Sequence, residues 1–307
     1  MNPVIIIGAG IAGLACARRL CDAGWPVIVL DKGRGIGGRM ATRRTDGPTF
    51  DHGAQYVSAK GAGFTKVLAD LTTAGHAARW QDGIVGVPGM SALAKGLGAG
   101  VPVQQNMQVS ALIRQDDGWR VQVGDTSLRA DRVIVTVPAP QVAELLGADH
   151  PLVTQLTGVT YAPNLTLMAG ITGATPFTTA HDPEADLAWI AQDSSKPGRP
   201  QETTAWVAQA SAAFSARHLD QDKDTIAGLM LALLLDRLGA TSDQVGYVAG
   251  HRWRYAFVTQ ALGQPFLRDA AATLYLGGDW CLGARVEDAW TSGTAIADDL
   301  LAISDVG

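Results

Sequence analysis

Cysteine, clustered positive charge and long apolar runs are all scarce in this sequence. The three cysteines, Cys16, Cys21 and Cys281, form an odd set without C-x-x-C spacing. Neither a disulfide framework nor a cysteine-based metal site is therefore expected. Twenty-four Lys and Arg against 29 Asp and Glu give a formal net charge of −5, and no Lys/Arg run supplies the footprint of a nucleic-acid binder. Continuous apolar stretches such as 4–7 fall far below the ~20 residues of a membrane-spanning helix. The expectation is a soluble, cytoplasmic protein with no metal and with neither nucleic acid nor membrane as partner. The sequence leaves the oligomeric state open.

Glycine is abundant, 36 residues in a chain of 307 with a hydrophobic fraction of 47%. That length exceeds one ordinary domain and supports a large core, which suggests two interleaved domains. The glycines cluster in turns, as in an α/β protein rich in strand-to-helix connections.

The densest cluster lies in Val4-Ile-Ile-Ile-Gly8-Ala-Gly10-Ile-Ala12-Gly13. The β-branched run predicts a buried parallel strand at 4–7, and 14–23 predicts a helix closed by Gly24. Gly8 permits the tight turn, Gly10 admits a pyrophosphate close to the backbone, and Gly13 lets the helix approach the strand. The N–H groups around Ala12 then meet the diphosphate at the helix N-terminus. Asp31, at the end of a second apolar strand, suits a ribose without a 2′-phosphate. Lys32 and the Gly-rich loop to Gly38-Arg39 follow, where a guanidinium could pair with pyrophosphate oxygens. That continuation favours FAD over NAD.

This loop, Phe50-Asp51-His52-Gly53-Ala54-Gln55-Tyr56 and Gly277-Gly278-Asp279 occur in the order that resembles the flavoprotein amine-oxidase superfamily, over nearly the whole chain. Within it, Gly38-Arg39-Met40, Asp51 to Tyr56, Ser195-Lys196-Pro197-Gly198-Arg199 and Trp253-Arg254-Tyr255 are similar to renalase and its bacterial relatives. The resemblance implies an α/β fold: a doubly wound, Rossmann-like FAD-binding domain with an antiparallel meander, and an interleaved α+β substrate domain of amine-oxidase type. It divides the chain into 1–58, 95–140 and 265–307 for FAD and 59–94 and 141–264 for substrate. It implies that FAD is held non-covalently, although some superfamily members link a cysteine to the flavin and Cys281 is the position to weigh. It also implies contacts from Gln55 and Tyr56 to the ring or pyrophosphate, Val109 to the adenosine side and Asp279 to the ribityl hydroxyls. A last helix beginning at Val286 and Glu287 would turn its positive end, through backbone amides, toward the flavin.

Periodicity adds helices at 64–74, 222–238 and 286–301, and strands at 164–171, 203–209 and 273–277. Residues 101–135 read as a meander rejoining the parallel sheet at 133–138. Ser91 reads as the N-cap of a helix.

Tyr255, Tyr56 and Trp189 are the candidates for the reacting pocket, with Trp253 able to stack on a planar heterocycle. Lys196, Arg199, Arg252 and Arg254 are the candidate cations for a phosphate-bearing substrate. His52 reads as structural, because no Ser or Cys nucleophile accompanies it. The renalase resemblance implies an oxidase that moves hydride from 1,2- or 1,6-dihydro isomers of NAD(P) to flavin N5. O₂ then takes the electrons, leaving NAD(P)⁺ and H₂O₂. The partners would be a small dinucleotide and O₂. An amine oxidase or desaturase is the alternative enzyme, and a flavin-binding redox sensor the alternative of another class.

Overall fold

The computed structural model describes residues 2–173 and 175–304. Residues 1, 174 and 305–307, which belong to the expected domain spans, lie outside the described residues. The strand Val4–Ile7 is buried on both faces and pairs in parallel with Val27–Leu30 and Val133–Val135. The full sheet runs Leu267–Arg268, Leu274–Leu276, Val133–Val135, Val4–Ile7, Val27–Leu30, Val103–Gln104. Only the first pair is antiparallel.

Alternation along the first strand feeds two cores. Val4 and Ile6 pack with residues of the helices Ile11–Asp22 and Val286–Ser304. Ile5 and Ile7 pack with Trp119 and Val121 of the meander formed by Val109–Gln115, Gly118–Val123 and Thr126–Ala130. Each fully buried aliphatic side chain stabilises the sheet by ~1.5–3 kcal/mol. The two helices approach closely because Gly293 faces Ala12; a Cβ at Gly293 would sit 2.0 Å from the Ala12 carbonyl oxygen.

A second, five-stranded antiparallel sheet stands over the first, in the order Thr179–His181, Leu187–Gln192, Thr204–Ala210, Thr160–Ile171, Val245–Gln260. Its back is covered by the helix Lys223–Leu238, which buries Ile226, Met230 and Leu234 at helical spacing. The Asp222 carboxylate caps that helix by accepting from the amides of Asp224 and Thr225, and Gly239 closes it in the left-handed conformation.

Most expected elements are present, with ends displaced by a few residues. The helix Ser91–Leu97 is a correction in detail: Ser91 is not its cap. The N-cap is Met90, whose amide donates to Asp51 Oδ1 at 2.8 Å, and the Ser91 amide donates to Thr42 Oγ1 at 3.0 Å. Side chains of the neighbouring hairpin, Thr42–Arg44 with Thr49–Asp51, thus do the capping from outside the helix.

Candidate active site

A cleft of about 2070 Å³ lies between the two sheets. Pockets for drug-sized ligands rarely exceed roughly 1,000 Å³, so this one has room for a dinucleotide and a second molecule.

Its inner end is the Gly-rich turn. Gly8 has φ +106 and lies against Thr136, whose hydroxyl donates to the carbonyls of Ile7 and Gly8. Gly10 caps the helix in extended conformation with no side chain accepting from the first turn. A Cβ there would meet nothing within 4 Å, so the N–H groups beside Ile11 and Ala12 open onto the cleft. This is the geometry that takes a diphosphate. Gly13 does not line the cleft. Its place is against the strand, where a Cβ would come within 2.0 Å of the Gly8 carbonyl oxygen, so its cofactor role is to set helix-to-strand spacing.

Asp31 lines the cleft and braces the turn, accepting from the Ala9 amide through Oδ2 and the Gly33 amide through Oδ1, both at 2.6 Å. Lys32, Gly38 and the buried Val109 line the same cavity.

Arg39 is placed differently from the expectation. It lines the cleft, but its guanidinium donates to Asp279 Oδ1 at 2.6 Å and to the carbonyls of Tyr255 and Ala256 at 3.1 Å. Asp279 also lines the cleft, so the two groups expected on pyrophosphate and ribityl chain are joined to each other.

The segment from Asp51 to Tyr56 is trussed from the second sheet. Trp253 Nε1 donates to the His52 carbonyl at 2.6 Å, and Gln209 donates to the Gly53 carbonyl at 2.7 Å. Gln55 is buried, with its amide nitrogen on the Asp51 and Gly53 carbonyls and its oxygen accepting from Lys196.

Lys196 and Arg199 correct the sequence reading. They do not face the cleft: both side chains are fully buried, Arg199 and Lys196 on Asp51 Oδ2 at 2.6 and 3.1 Å, and Lys196 also on Asp193. The Lys196 ammonium lies 5.2 Å from the Trp80 ring centre. The Asp193 carboxylate in turn accepts the Asp51 amide at 2.6 Å. Burial opposes ionisation of Asp51, but Lys196, Arg199 and the Met90 amide outweigh it and hold its carboxyl below the ordinary range. Burial, with the Asp51 charge, pushes Asp193 up to about 6 against the pull of Lys196. Two cations and two carboxylates here balance in charge, while Arg199 Nε is left without a hydrogen-bond partner.

Glu287, at the helix end whose backbone amides were expected to face the flavin, does not itself line the cleft. Its carboxylate points away from the cleft and caps a different helix, Ala62–Thr73, by accepting from the amides of Lys60 and Gly61 at 3.0 and 2.7 Å. Val286, which opens the last helix, does line the cleft.

Tyr56, 44% exposed, and Trp189 both line the cleft, their ring centres 5.9 Å apart and their planes tilted by 46°. Tyr255 lines the cavity with its ring tilted against Tyr161. Of the candidate cations, Arg252 lines the cleft with its guanidinium on the Leu219 and Gln221 carbonyls. Arg254 lines it while paired to Asp220 at 3.2 Å.

Sequence reasoning missed Arg43, Tyr247 and His251, which also line the cavity. Arg43 and Tyr247 come from a three-residue strand and from the start of a sixteen-residue one, neither of which carried a clear alternation. Cys281 is buried, does not line the cleft, and has its thiol pushed up to about 12, by burial first of all. Among the described residues no helix is long and apolar enough to cross a membrane.

A model of NAD(P)-binding Rossmann-like domains matches residues 6–71, and a model of flavin containing amine oxidoreductases matches residues 77–301. A putative protoporphyrinogen oxidase from Exiguobacterium sp. 255-15 superposes over 97% of this chain and 98% of its own, with TM-score 0.71 and 14% identity. A redesigned putrescine oxidase, a triple mutant, does so over 98% and 99%, with TM-score 0.74 and 15% identity. At those identities the likeness is one of fold. A 4,4'-diapophytoene desaturase of Staphylococcus aureus (strain Newman) is 43% identical over 54 residues, which span 18% of this chain and 11% of the desaturase.

Proposed function

We propose, because this chain belongs to the flavin containing amine oxidoreductases and its cofactor is FAD, that it is an oxidase of misreduced nicotinamide dinucleotides. The open space before Gly10, the uncapped helix behind it and the Asp31 carboxylate fit the two halves of that cofactor. The buried Cys281 thiol, away from the cleft, supports a non-covalent complex. Bound FAD supplies a hydride acceptor and hands the electrons to O₂, so that a dihydronicotinamide, a proton and O₂ become NAD(P)⁺ and H₂O₂.

The residues of the chain have three tasks in this reaction. Tyr56 and Trp189 offer aromatic walls that fit a planar nicotinamide. Gln55 and Tyr56 are held by the truss on residues 51–56, so the wall stands in one place. Positioning carries most of the catalysis, because aromatisation of the nicotinamide drives hydride loss without an acid–base pair.

The observation that carries the substrate class is the charge of the cleft. Arg43 and Arg252 line it with no ion-pair partner among the described residues, Arg254 is paired with Asp220, and the lining carboxylate Asp279 is paired with Arg39. A cationic amine would be repelled there, and a phosphate-bearing dinucleotide would be attracted.

Steady-state O₂ uptake tests the proposal. The 1,2- and 1,6-dihydro isomers of NAD and NADP should be consumed with equimolar H₂O₂, and simple amines should not. Turnover of amines alone would move the assignment to an amine oxidase.

A further inference from the structure

Arg43 lines the cleft from the edge strand Thr42–Arg44 and enters no salt bridge among the described residues. Its one hydrogen bond is a long one, 3.4 Å to the Tyr247 hydroxyl. Tyr247 is fixed by stacking on Phe50 at 5.1 Å. Beside this pair, the His52 and His251 rings meet edge to face at 4.6 Å, and both lie against Trp253.

The charges around the four residues are unbalanced. Burial, then Arg43, pushes His52 down to about 4. Burial, His52, Lys223 and Arg43 push His251 down to about 3. Both imidazoles are thus neutral, with a positive field around them. The carboxylate nearest His52 is Asp51, and it is already taken by Lys196, Arg199, Thr42 and the Met90 amide. A guanidinium lining a cleft without a counter-ion favours an anionic ligand.

We propose that Arg43, Tyr247, His52 and His251 form a phosphate subsite for the substrate, separate from the helix N-terminus at Gly10 that receives the diphosphate of FAD. The guanidinium donates two parallel hydrogen bonds to phosphate oxygens, the tyrosine hydroxyl a third, and an imidazole N–H completes the set. The group bound is the diphosphate of the dinucleotide or its 2′-phosphate.

The subsite rests on the reading of the substrate as a dinucleotide, and its test reads binding, not turnover. FAD-loaded protein is titrated with ADP-ribose by calorimetry. Arg43→Gln should weaken binding about tenfold to a hundredfold, and adenosine, which has no phosphate, should bind both proteins alike. Repeating the titration with 2′-phospho-ADP-ribose assigns the phosphate: an extra loss there places the 2′-phosphate on Arg43, and an equal loss places the diphosphate. Equal affinity of both proteins for ADP-ribose and for 2′-phospho-ADP-ribose alike, or no binding of either by the wild type, overturns the subsite. Should Arg43→Gln fail to fold, inorganic pyrophosphate must displace ADP-ribose from the wild type, and failure to compete overturns the subsite equally. Arg43-dependent binding in a protein that oxidises no dihydronicotinamide would remove the proposed reaction and leave the subsite standing.

Discussion

Arg39 and Asp279 are joined by a 2.6 Å ion pair across 240 positions of sequence. The same guanidinium holds the Tyr255 and Ala256 carbonyls, so one side chain ties the cofactor loop, the long strand of the second sheet and the last turn before the closing helix. Asp279→Ala frees Arg39 at the cleft wall. FAD should bind about tenfold or more weakly, measured by titrating apoprotein with FAD. Arg39→Ala together with Asp279→Ala should cost less than the two single losses added.

Gly10 and Gly13 separate cofactor binding from folding. A methyl group at Gly10 meets nothing in the protein, whereas one at Gly13 meets the Gly8 carbonyl at 2.0 Å. Gly10→Ala should leave the apoprotein melting temperature nearly unchanged and weaken FAD, because the methyl occupies phosphate space. Gly13→Ala should lower both, with about 1–3 kcal/mol lost from folding.

The buried quartet of Asp51, Asp193, Lys196 and Arg199 makes a prediction about stability. Lys196→Met leaves two carboxylates with one cation and should cost about 3–5 kcal/mol in urea unfolding. Adding Asp193→Asn removes the excess charge and should recover part of that loss. A double variant no more stable than Lys196→Met would contradict the charge balance.

His52 and His251 set a pH dependence. An ordinary histidine titrates near 6.5, and burial, followed by neighbouring positive charge, holds these two down to about 4 and about 3. Below pH 6.5 the unfolded chain binds protons that the folded chain refuses. Stability from this pair is therefore complete above 6.5 and falls as the pH drops toward 4. Urea midpoints at about pH 7.5 and about pH 5 should differ less in the His52→Asn, His251→Asn double variant than in the wild type.

The nucleotide half of the fold was legible because its constraints are local. Gly8 turns at positive φ, Gly10 leaves space for phosphate and Gly13 makes room for the Gly8 carbonyl, all within six residues of chain, and Asp31 follows at the next strand end. The substrate half was not, because its contacts join distant segments. Lys196 and Arg199 look like loop cations, and nothing near them in sequence says that Asp51, about 145 positions earlier, pairs with them both. The partner of the Glu287 carboxylate was hidden for the same reason: it serves the amides of Lys60 and Gly61, over 220 positions away. Arg43 stayed hidden because a three-residue strand has no periodicity to mark which face its side chain takes.

What reduces the cofactor decides between the two enzymes. Purified, FAD-loaded protein mixed anaerobically with the 2-, 6- and 4-dihydro forms of NAD and NADP, and with putrescine as a representative amine, is followed by the loss of flavin absorbance. Rapid bleaching by the 2- or 6-dihydro forms is expected of an oxidase of misreduced dinucleotides, with recovery and H₂O₂ when air is admitted. Bleaching by the amine, with the dihydronicotinamides inert, would contradict that assignment.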